Sequence, residues 1–526
     1  MDIVGKKTLR SLLSDKVKQH KEKTFILFED ANEQQFGKTF QEFYRDVNQL
    51  SNAFLNLGVQ KGDHVILHLP NTIEFLTIWF ALANIGAIMV PTNILSTSDE
   101  MKYMINHSGA IVLVTEMEYL EKFKQIKEEL PTLQKTIITR SKHQFDDVLH
   151  FHEFLASGTE STENFPEIRN EDVVAMLYTS GTTSNPKGVQ VTHANYIFAG
   201  ELLSKSINLT ENDRSFIVLP LFHGNAQYYS TMSALVVGGS IALTEKFSAS
   251  RYFKQAKRLG GTVGSLFAAP IRMILSKEYD STDKENPIRL ILFAQSIAEH
   301  QVKSFEEKYN LDLIQIYGMT ETIGIPLINP INDIRKNMSI GKPSIGYEVK
   351  LLDENGLEVA EGEIGQIAVK GFRGRTLMKG YFKNEEATQQ TFKEDWLLTG
   401  DNARIGEDGY FYFIDRLKDM IKRSGENVAA NEVESVLVEH VAVFEAAVIG
   451  IPDHMRDEAI KAFVILNKGV QATENELIEH CRKRLAKFKV PDAIEFVDEF
   501  PRTAVGKIKK HILRNPTSIE KKEGIV

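Results

Sequence analysis

Tyr178-Thr179-Ser180-Gly181-Thr182-Thr183-Ser184-Asn185-Pro186-Lys187-Gly188-Val189 follows a strand-like apolar run, Val173 to Leu177, and holds hardly an apolar side chain before Val189. Glycine and small hydroxyl residues let backbone N–H groups approach an anion closely, and the hydroxyls add donors of their own. Lys187 adds a mobile positive charge. This is the composition of a phosphate cradle. It is not the common P-loop, which has Gly directly before its Lys and Ser or Thr directly after it, the latter to hold Mg²⁺. Gly181 and Lys187 have the P-loop separation, but Pro186 and Gly188 flank the Lys. A metal–nucleotide bound here needs its metal ligand from elsewhere. Read alone, the stretch is also a surface loop of turn-forming residues.

Upstream, helix and strand alternate. Thr39 to Leu57 is an amphipathic helix stopped by Gly58, His64 to Leu69 a strand, Asn71 to Ile85 a helix, and Ala87 to Val90 a strand. Ser98 to His107 is a helix, Ala110 to Val114 a strand, and Ser157 to Asn164 a polar loop leading to the cradle. Downstream the rhythm continues with Ser215–Leu219, which ends in Pro220-Leu221-Phe222-His223-Gly224, then Ser240–Leu243 and Leu290–Phe293. Leu313 to Ile316 leads into Tyr317-Gly318-Met319-Thr320-Glu321. Such alternation predicts parallel α/β layers, in which ligands gather beyond the carboxyl ends of strands. From about Gly341 the texture is β, with strands at Val349–Leu352, Gly365–Val369 and Gly409–Ile414. The charged break Asp415-Arg416-Leu417-Lys418-Asp419 sets a domain boundary near Lys418. Residues 1–417 form one domain and 418–526 a small α+β one, with helices Ala430–Glu439 and Glu474–Ala486 and strands Ala446–Ile449, Ala462–Leu466 and Ala493–Phe496.

With 526 residues the chain suits several domains or one large one with an appendage. A net charge of −9 offers no basic excess for a nucleic-acid partner. A single cysteine, Cys481, excludes an internal disulfide framework and a Cys-cluster zinc site. The start lacks a basic apolar leader, and the most apolar stretch, Phe75 to Val90, is broken by Thr77, Asn84 and Gly86. It reads as a buried helix entering a buried strand, since a spanning helix needs about 20 apolar residues. A cytoplasmic location without membrane insertion is the expectation.

Tyr317 to Glu321 combines an aromatic ring that can stack on a purine, a hydroxyl for phosphate and a carboxylate for Mg²⁺, the ligand the cradle lacks. Thr399-Gly400-Asp401 follows Trp396-Leu397-Leu398, and an Asp after a Gly turn can accept from two ribose hydroxyls. Pro501-Arg502-Thr503-Ala504-Val505-Gly506-Lys507 places a lysine on a Gly-containing loop. Each is ambiguous alone: a turn with an N-cap, a turn-stabilising Asp, a solvated basic tail. No two glycines are spaced two apart, so G-x-G-x-x-G is absent, as are H-E-x-x-H and G-x-S-x-G.

Together, in order and spacing, these motifs resemble the adenylate-forming (AMP-binding) acyl-CoA synthetase superfamily, from about Thr39 to Leu513. The resemblance implies a large N-terminal domain of layered α/β subdomains plus a distorted β-barrel-like subdomain, and a small mobile α+β C-terminal domain. It implies a ligase that turns a small carboxylic acid and ATP into acyl-AMP and pyrophosphate, then transfers the acyl group to coenzyme A. Carried over, Thr179, Ser180, Gly181, Thr182, Thr183 and Lys187 hold the β- and γ-phosphates. Ala294, Gln295 and Ser296 line the adenine, and Tyr317 stacks on it, with Gly318 and Met319 beside the nucleotide. Thr320 contacts the α-phosphate, Glu321 the Mg²⁺, and Asp401 the ribose beside Arg416. Lys418 is the hinge, Lys507 bridges carboxylate and α-phosphate, and Ser424, Gly425 and Glu426 line the CoA channel. Monomer and homodimer are both compatible. No side chain need be a nucleophile, because the substrate carboxylate is; catalysis is then placement and charge neutralisation.

Phe411-Tyr412-Phe413-Ile414-Asp415-Arg416, Met420-Ile421-Lys422-Arg423 and Arg456 to Val464 resemble the crotonobetaine/carnitine–CoA ligase branch, as does Met1-Asp2-Ile3. None of these touches the acyl group. The resemblance implies that His223 and Gly224 border the acyl pocket, with Phe222, Tyr228 and Tyr229 as candidate aromatic faces for a quaternary ammonium. The same rings suit a fatty acyl wall, so a medium- or long-chain fatty acyl-CoA synthetase is the alternative. An amino-acid adenylation module usually has an Asp where His223 stands. A non-catalytic nucleotide sensor is expected to lose Glu321 or Lys507, and both are present.

Overall fold

The structure, a computed structural model of the chain, describes residues 3–141, 147–179, 185–416, 419–423, 426–453, 457–502 and 508–514, with Glu426 and Asn427 described by their backbone alone. Among these residues two mostly parallel sheets form the bulk of the large N-terminal domain. In one, Asp312–Tyr317, Leu290–Ala294, Val263–Phe267, Arg214–Ile217, Ser240–Thr244 and Thr24–Glu29 lie side by side in parallel. In the other, Val173–Thr179, Ile88–Pro91, His64–His68, Val112–Glu116, Lys135–Thr139 and Leu149–His150 do the same. The centres of these strands are largely apolar, as in Val65-Ile66-Leu67 and Val112-Leu113-Val114, because both of their faces are covered. One core cluster takes in residues of both sheets and of the helices Phe40–Asn56, Ile73–Ile85 and His193–Ser206.

The helix Ile73–Ile85 shows how the apolar run is used. Thr72 caps it by accepting the Phe75 N–H, and Gly86 ends it in the left-handed region at φ 72. Every residue from Phe75 to Ile85 is buried. Asn71, expected as the helix start, lies outside it. Its Nδ2 donates to Leu219 O and Thr244 O, and its Oδ1 accepts from Leu221 N, so it joins the two sheet layers.

A third sheet is antiparallel, with Glu348–Leu352, Ile364–Lys370, Trp396–Ile405, Phe392–Lys393 and Phe411–Arg416, and is bent by irregularities at Gln366/Ala368 and Asn402/Ala403. The C-terminal α+β domain has its own sheet, whose strands Val443–Asp453 and Asp457–Leu466 pair along their length. Both are longer than the apolar centres read from sequence, because polar strand ends pair as well as apolar ones. The helix there ends at Arg482 rather than Ala486.

Two readings are corrected. Thr399-Gly400-Asp401 is not a turn: it lies within the strand Trp396–Ile405, and Gly400 takes φ 73 beside the irregular pairing at Gln366/Ala368. Lys187 is not in a loop but opens the strand Lys187–Thr192, antiparallel to Val173–Thr179 with Thr179 opposite Lys187. Of the cradle residues, Thr179 and Lys187 thus face each other at the end of an antiparallel ladder.

Candidate active site

Leu290–Ala294 and Asp312–Tyr317 are neighbouring parallel strands, so the segments that follow them leave at the same edge. Gln295 sits at φ 80 and Ile323 at φ 64, unusual for residues with a Cβ, and a β-branched residue there marks stored strain. Gln315 Nε2 donates to Gln295 O at 3.3 Å and so fixes the first bend. Ala294 and Gln295 are half-buried and Ser296 is exposed. Gly318 is exposed, Met319 and Thr320 half-buried, and Thr320 opens a 3₁₀ turn, Thr320–Thr322.

Tyr317, Asp401 and Arg416 come together. The Tyr317 hydroxyl donates to Asp401 Oδ2 at 2.7 Å, and Arg416 Nε lies 3.3 Å from Asp401 Oδ1. Asp401 and Arg416 are direct partners across antiparallel strands, which sets the pairing before any ligand arrives. Burial and then the Asp401 charge hold the Tyr317 phenol well above its usual range, so it stays a donor.

Glu321 is buried beneath this edge, and Tyr381 donates to its Oε1 at 2.9 Å. Burial pushes the Glu321 carboxyl up; the Tyr381 bond and the Arg416 charge oppose that. The same Tyr381 ring lies 4.9 Å beneath Lys187 Nζ. It reaches this place because Gly380–Tyr381 pairs with Val189 and Gln190 as an edge strand. Sequence reasoning missed Tyr381, although Gly380-Tyr381 follows the Gly-rich turns of the β region. A lone buried carboxylate suits Mg²⁺, which takes one or two carboxylates and otherwise phosphate and water oxygens. No cluster of three or more His, Cys, Asp or Glu is found among the described residues.

His223 closes the turn from Pro220, which Asn71 anchors through Leu221. Its Nδ1 accepts from Asn225 N, and its ring meets Phe267 edge-on at 6.1 Å. Behind it a π-helical turn, Asn225–Thr231, is wholly buried. Tyr228 packs so closely on Gly224 that a Cβ there would lie 2.8 Å from its ring. Tyr229 donates to Gly324 O at 3.2 Å, and its hydroxyl would lie 2.8 Å from a Cβ on Gly318. Tyr228 Oη and Asn225 Oδ1 are buried without a hydrogen-bond partner among the described residues. The small domain meets this edge too: Ser296 donates to Asn431 Oδ1 at 2.9 Å, and Arg272, which reaches Ser296 O, pairs with Glu445 at 3.1 Å.

Among the residues that the resemblance assigns, Ser180, Gly181, Thr182 and Thr183 for the phosphates, Lys418 as hinge, Ser424 and Gly425 for the CoA channel, and Lys507 all lie outside the described residues. Glu426 opens the strand Glu426–Ala429.

Residues 13–382 match the AMP-binding enzyme family, and residues 432–507 match the AMP-binding enzyme C-terminal domain. The chain is 36% identical over 517 residues, 98% of its own length and 100% of the relative's, to a crotonobetaine/carnitine–CoA ligase of Salmonella arizonae, with the same identity and coverage for that of Salmonella typhimurium. Among solved structures it resembles the anthranilate CoA ligase AuaEII in complex with anthranoyl-AMP, with a TM-score of 0.90 and 29% identity over 98% of both chains. It also resembles ATP-bound MatB from Rhodopseudomonas palustris, with a TM-score of 0.87 and 26% identity over 99% of this chain and 100% of that one. The chain therefore belongs to the AMP-binding enzyme family, as an ATP-dependent, AMP-forming acid–CoA ligase.

Proposed function

We propose that the acid is of the carnitine or crotonobetaine type, and that the nucleotide is held by the residues gathered at the edge of the first sheet. The observation that carries the acid assignment is the full-length 36% identity to crotonobetaine/carnitine–CoA ligases. The wall behind His223 supports it. Tyr228 and Tyr229 are aromatic faces of the kind a quaternary ammonium seeks, and the unpartnered Tyr228 hydroxyl and Asn225 oxygen offer polar contacts that an alkyl chain cannot use.

In the first half-reaction a carboxylate oxygen of the acid bonds to the α-phosphorus as the bond to the β-phosphate's bridging oxygen breaks and pyrophosphate leaves. In the second, the CoA thiol loses its proton to solvent as its sulfur bonds to the acyl carbon, and AMP leaves with the electron pair of the broken acyl C–O bond. Thr179 and Lys187 face the β- and γ-phosphates, and Thr320 the α-phosphate. Ala294, Gln295, Ser296 and Tyr317 enclose the adenine. Asp401, oriented by Tyr317 and Arg416, accepts from the ribose hydroxyls. Glu321 would hold Mg²⁺, whose charge, when bound, offsets that of the leaving pyrophosphate. The domain boundary falls near Lys418, and the enzyme acts in the cytoplasm. No helix among the described residues is long and apolar enough to cross a membrane.

The test is pyrophosphate release with MgATP and CoA across carnitine, crotonobetaine, γ-butyrobetaine and fatty acids of increasing length. Turnover confined to the betaines is expected. Turnover that rises with alkyl length, with none on the betaines, overturns the acid assignment and favours the fatty acyl alternative.

A further inference from the structure

The cradle hairpin is gripped from one side by a helix that no motif of the resemblance includes. Ser98–Ser108 is a well-bounded helix: Thr97 and Glu100 cap each other's backbone at its start, and Gly109 ends it in the left-handed region. Two of its side chains reach the hairpin, one at the residue that leads into the second strand and one at Tyr178 of the first. Tyr103 Oη donates to Pro186 O at 3.2 Å. His107 Nδ1 and Tyr178 Oη lie 2.7 Å apart, and Tyr178 also donates to Met104 O at 3.3 Å. Whichever nitrogen of His107 carries the proton, Tyr178 is tied to the helix.

The three rings form one cluster. Tyr103 and His107 stack with centroids 5.3 Å apart, and Tyr178 stands edge-on to both at 6.4 and 5.8 Å. On the far side His107 meets Phe382, whose N–H donates to Gly188 O, while Lys383 Nζ donates to His107 O. The anchored residues are Tyr178 and Pro186. Each directly precedes the residue assigned to the terminal phosphates, Thr179 on one strand and Lys187 on the other, and these two face each other across the ladder. The polar contacts therefore fall at the end of the ladder from which the chain runs between Thr179 and Lys187.

We propose that Tyr103 and His107 are positioning residues for ATP: they clamp the two strands of the hairpin so that Thr179 and Lys187 are held at the spacing the β- and γ-phosphates require. The clamp rests on the assignment of Thr179 and Lys187 to those phosphates. It acts only on a nucleotide that carries them, and AMP does not.

The experiment is equilibrium binding of MgATP and, separately, of AMP by titration calorimetry, which needs no acid substrate. Tyr103→Phe combined with His107→Phe keeps both rings and removes two hydrogen bonds. It is expected to weaken MgATP roughly tenfold and leave AMP affinity and the melting temperature unchanged. His107→Asn, which keeps a polar atom near the place of Nδ1, is expected to recover most of the loss of His107→Phe. Tyr103→Phe alone, the mildest change, is expected to give a few-fold loss for MgATP only. Equal weakening of MgATP and AMP, a lowered melting temperature that accounts for the loss, or unchanged MgATP affinity would each overturn the clamp. Failure of the unsubstituted protein to bind MgATP would overturn the nucleotide assignment itself, and the clamp with it.

Discussion

Tyr381→Phe isolates one hydrogen bond at the centre of the site. Tyr381 donates to Glu321 Oε1 at 2.9 Å, and both groups are buried. Burial pushes the Glu321 carboxyl up, and the Tyr381 bond is the largest effect holding it down. Only the ionised carboxylate can hold a divalent cation, so adenylation is lost as pH falls through the titration of this group. A hydrogen bond to an ionised acceptor is worth about 1.5–3 kcal/mol, and one pH unit corresponds to about 1.4 kcal/mol. Removing the hydroxyl thus moves the acid limb of the adenylation profile upward by roughly one to two pH units. The loss is greatest on the acid side of the profile and is recovered at alkaline pH. The Phe ring still lies under Lys187, which stands 4.9 Å from the ring it replaces, so affinity for MgATP changes little once Glu321 is ionised. The assay is pyrophosphate release from about pH 5.5 to 9.5 at saturating acid and MgATP. A loss uniform across pH, or a profile that superimposes on the unsubstituted enzyme, refutes the view that the ionised Glu321 is required.

Lys507→Ala is expected to cut adenylation by about 10²–10³ and spare thioester formation from supplied acyl-AMP; equal loss in both half-reactions, measured separately, refutes the lysine's assignment to the first. Gly318→Ala places a Cβ 2.8 Å from Tyr229 Oη and 3.0 Å from Gly324 O, so it is expected to lower adenylation roughly tenfold or more with an intact fold by circular dichroism. His64, His68 and His193 are pushed by burial to about 4, about 3 and about 3, so they bind protons in the unfolded chain but not the folded one. Their contribution is complete above the ordinary histidine range and is lost as pH falls toward those values. Each adds up to about 1.4 kcal/mol per pH unit to that slope, and denaturant unfolding at a series of pH values is expected to show it flatten by one such step in His193→Gln.

The local elements of this site were legible because each is a short run of residue types with its own chemistry. The strand before Thr179, the strand that ends at Tyr317, and the apolar run that becomes a buried helix and then a buried strand all read correctly from the chain. What sequence could not supply is pairing across long separations. Tyr381 joins Glu321 and Lys187 only because its two-residue strand pairs with Val189 and Gln190. Asn71 looked like a helix start because it precedes an apolar run, but its amide is used by Leu219, Leu221 and Thr244. Gly400 signalled a turn because glycine favours positive φ, and it does adopt one, but inside a continuous strand. The positive φ of Gln295 and Ile323 is invisible in the residue type, since those residues rarely take it.

The junction of the two domains bears on how one site can serve two reactions. The core of the small domain, built from Ile421 to Ile494, is closed within that domain, and the core of the large domain ends at Phe411. What joins them near the nucleotide edge is polar: Ser296 to Asn431, and Arg272 to Glu445, which also pairs with Arg502. Such pairs gain little over the water they replace, because the cost of drying the charges offsets most of their attraction. Among the described residues no apolar cluster spans both domains, so the groups released on leaving this seat are polar and find water as an adequate partner. An interface of this kind defines an orientation without locking it. The proposed use of one site for adenylation and then for thioester formation needs that property, and the separation of the two cores is compatible with it.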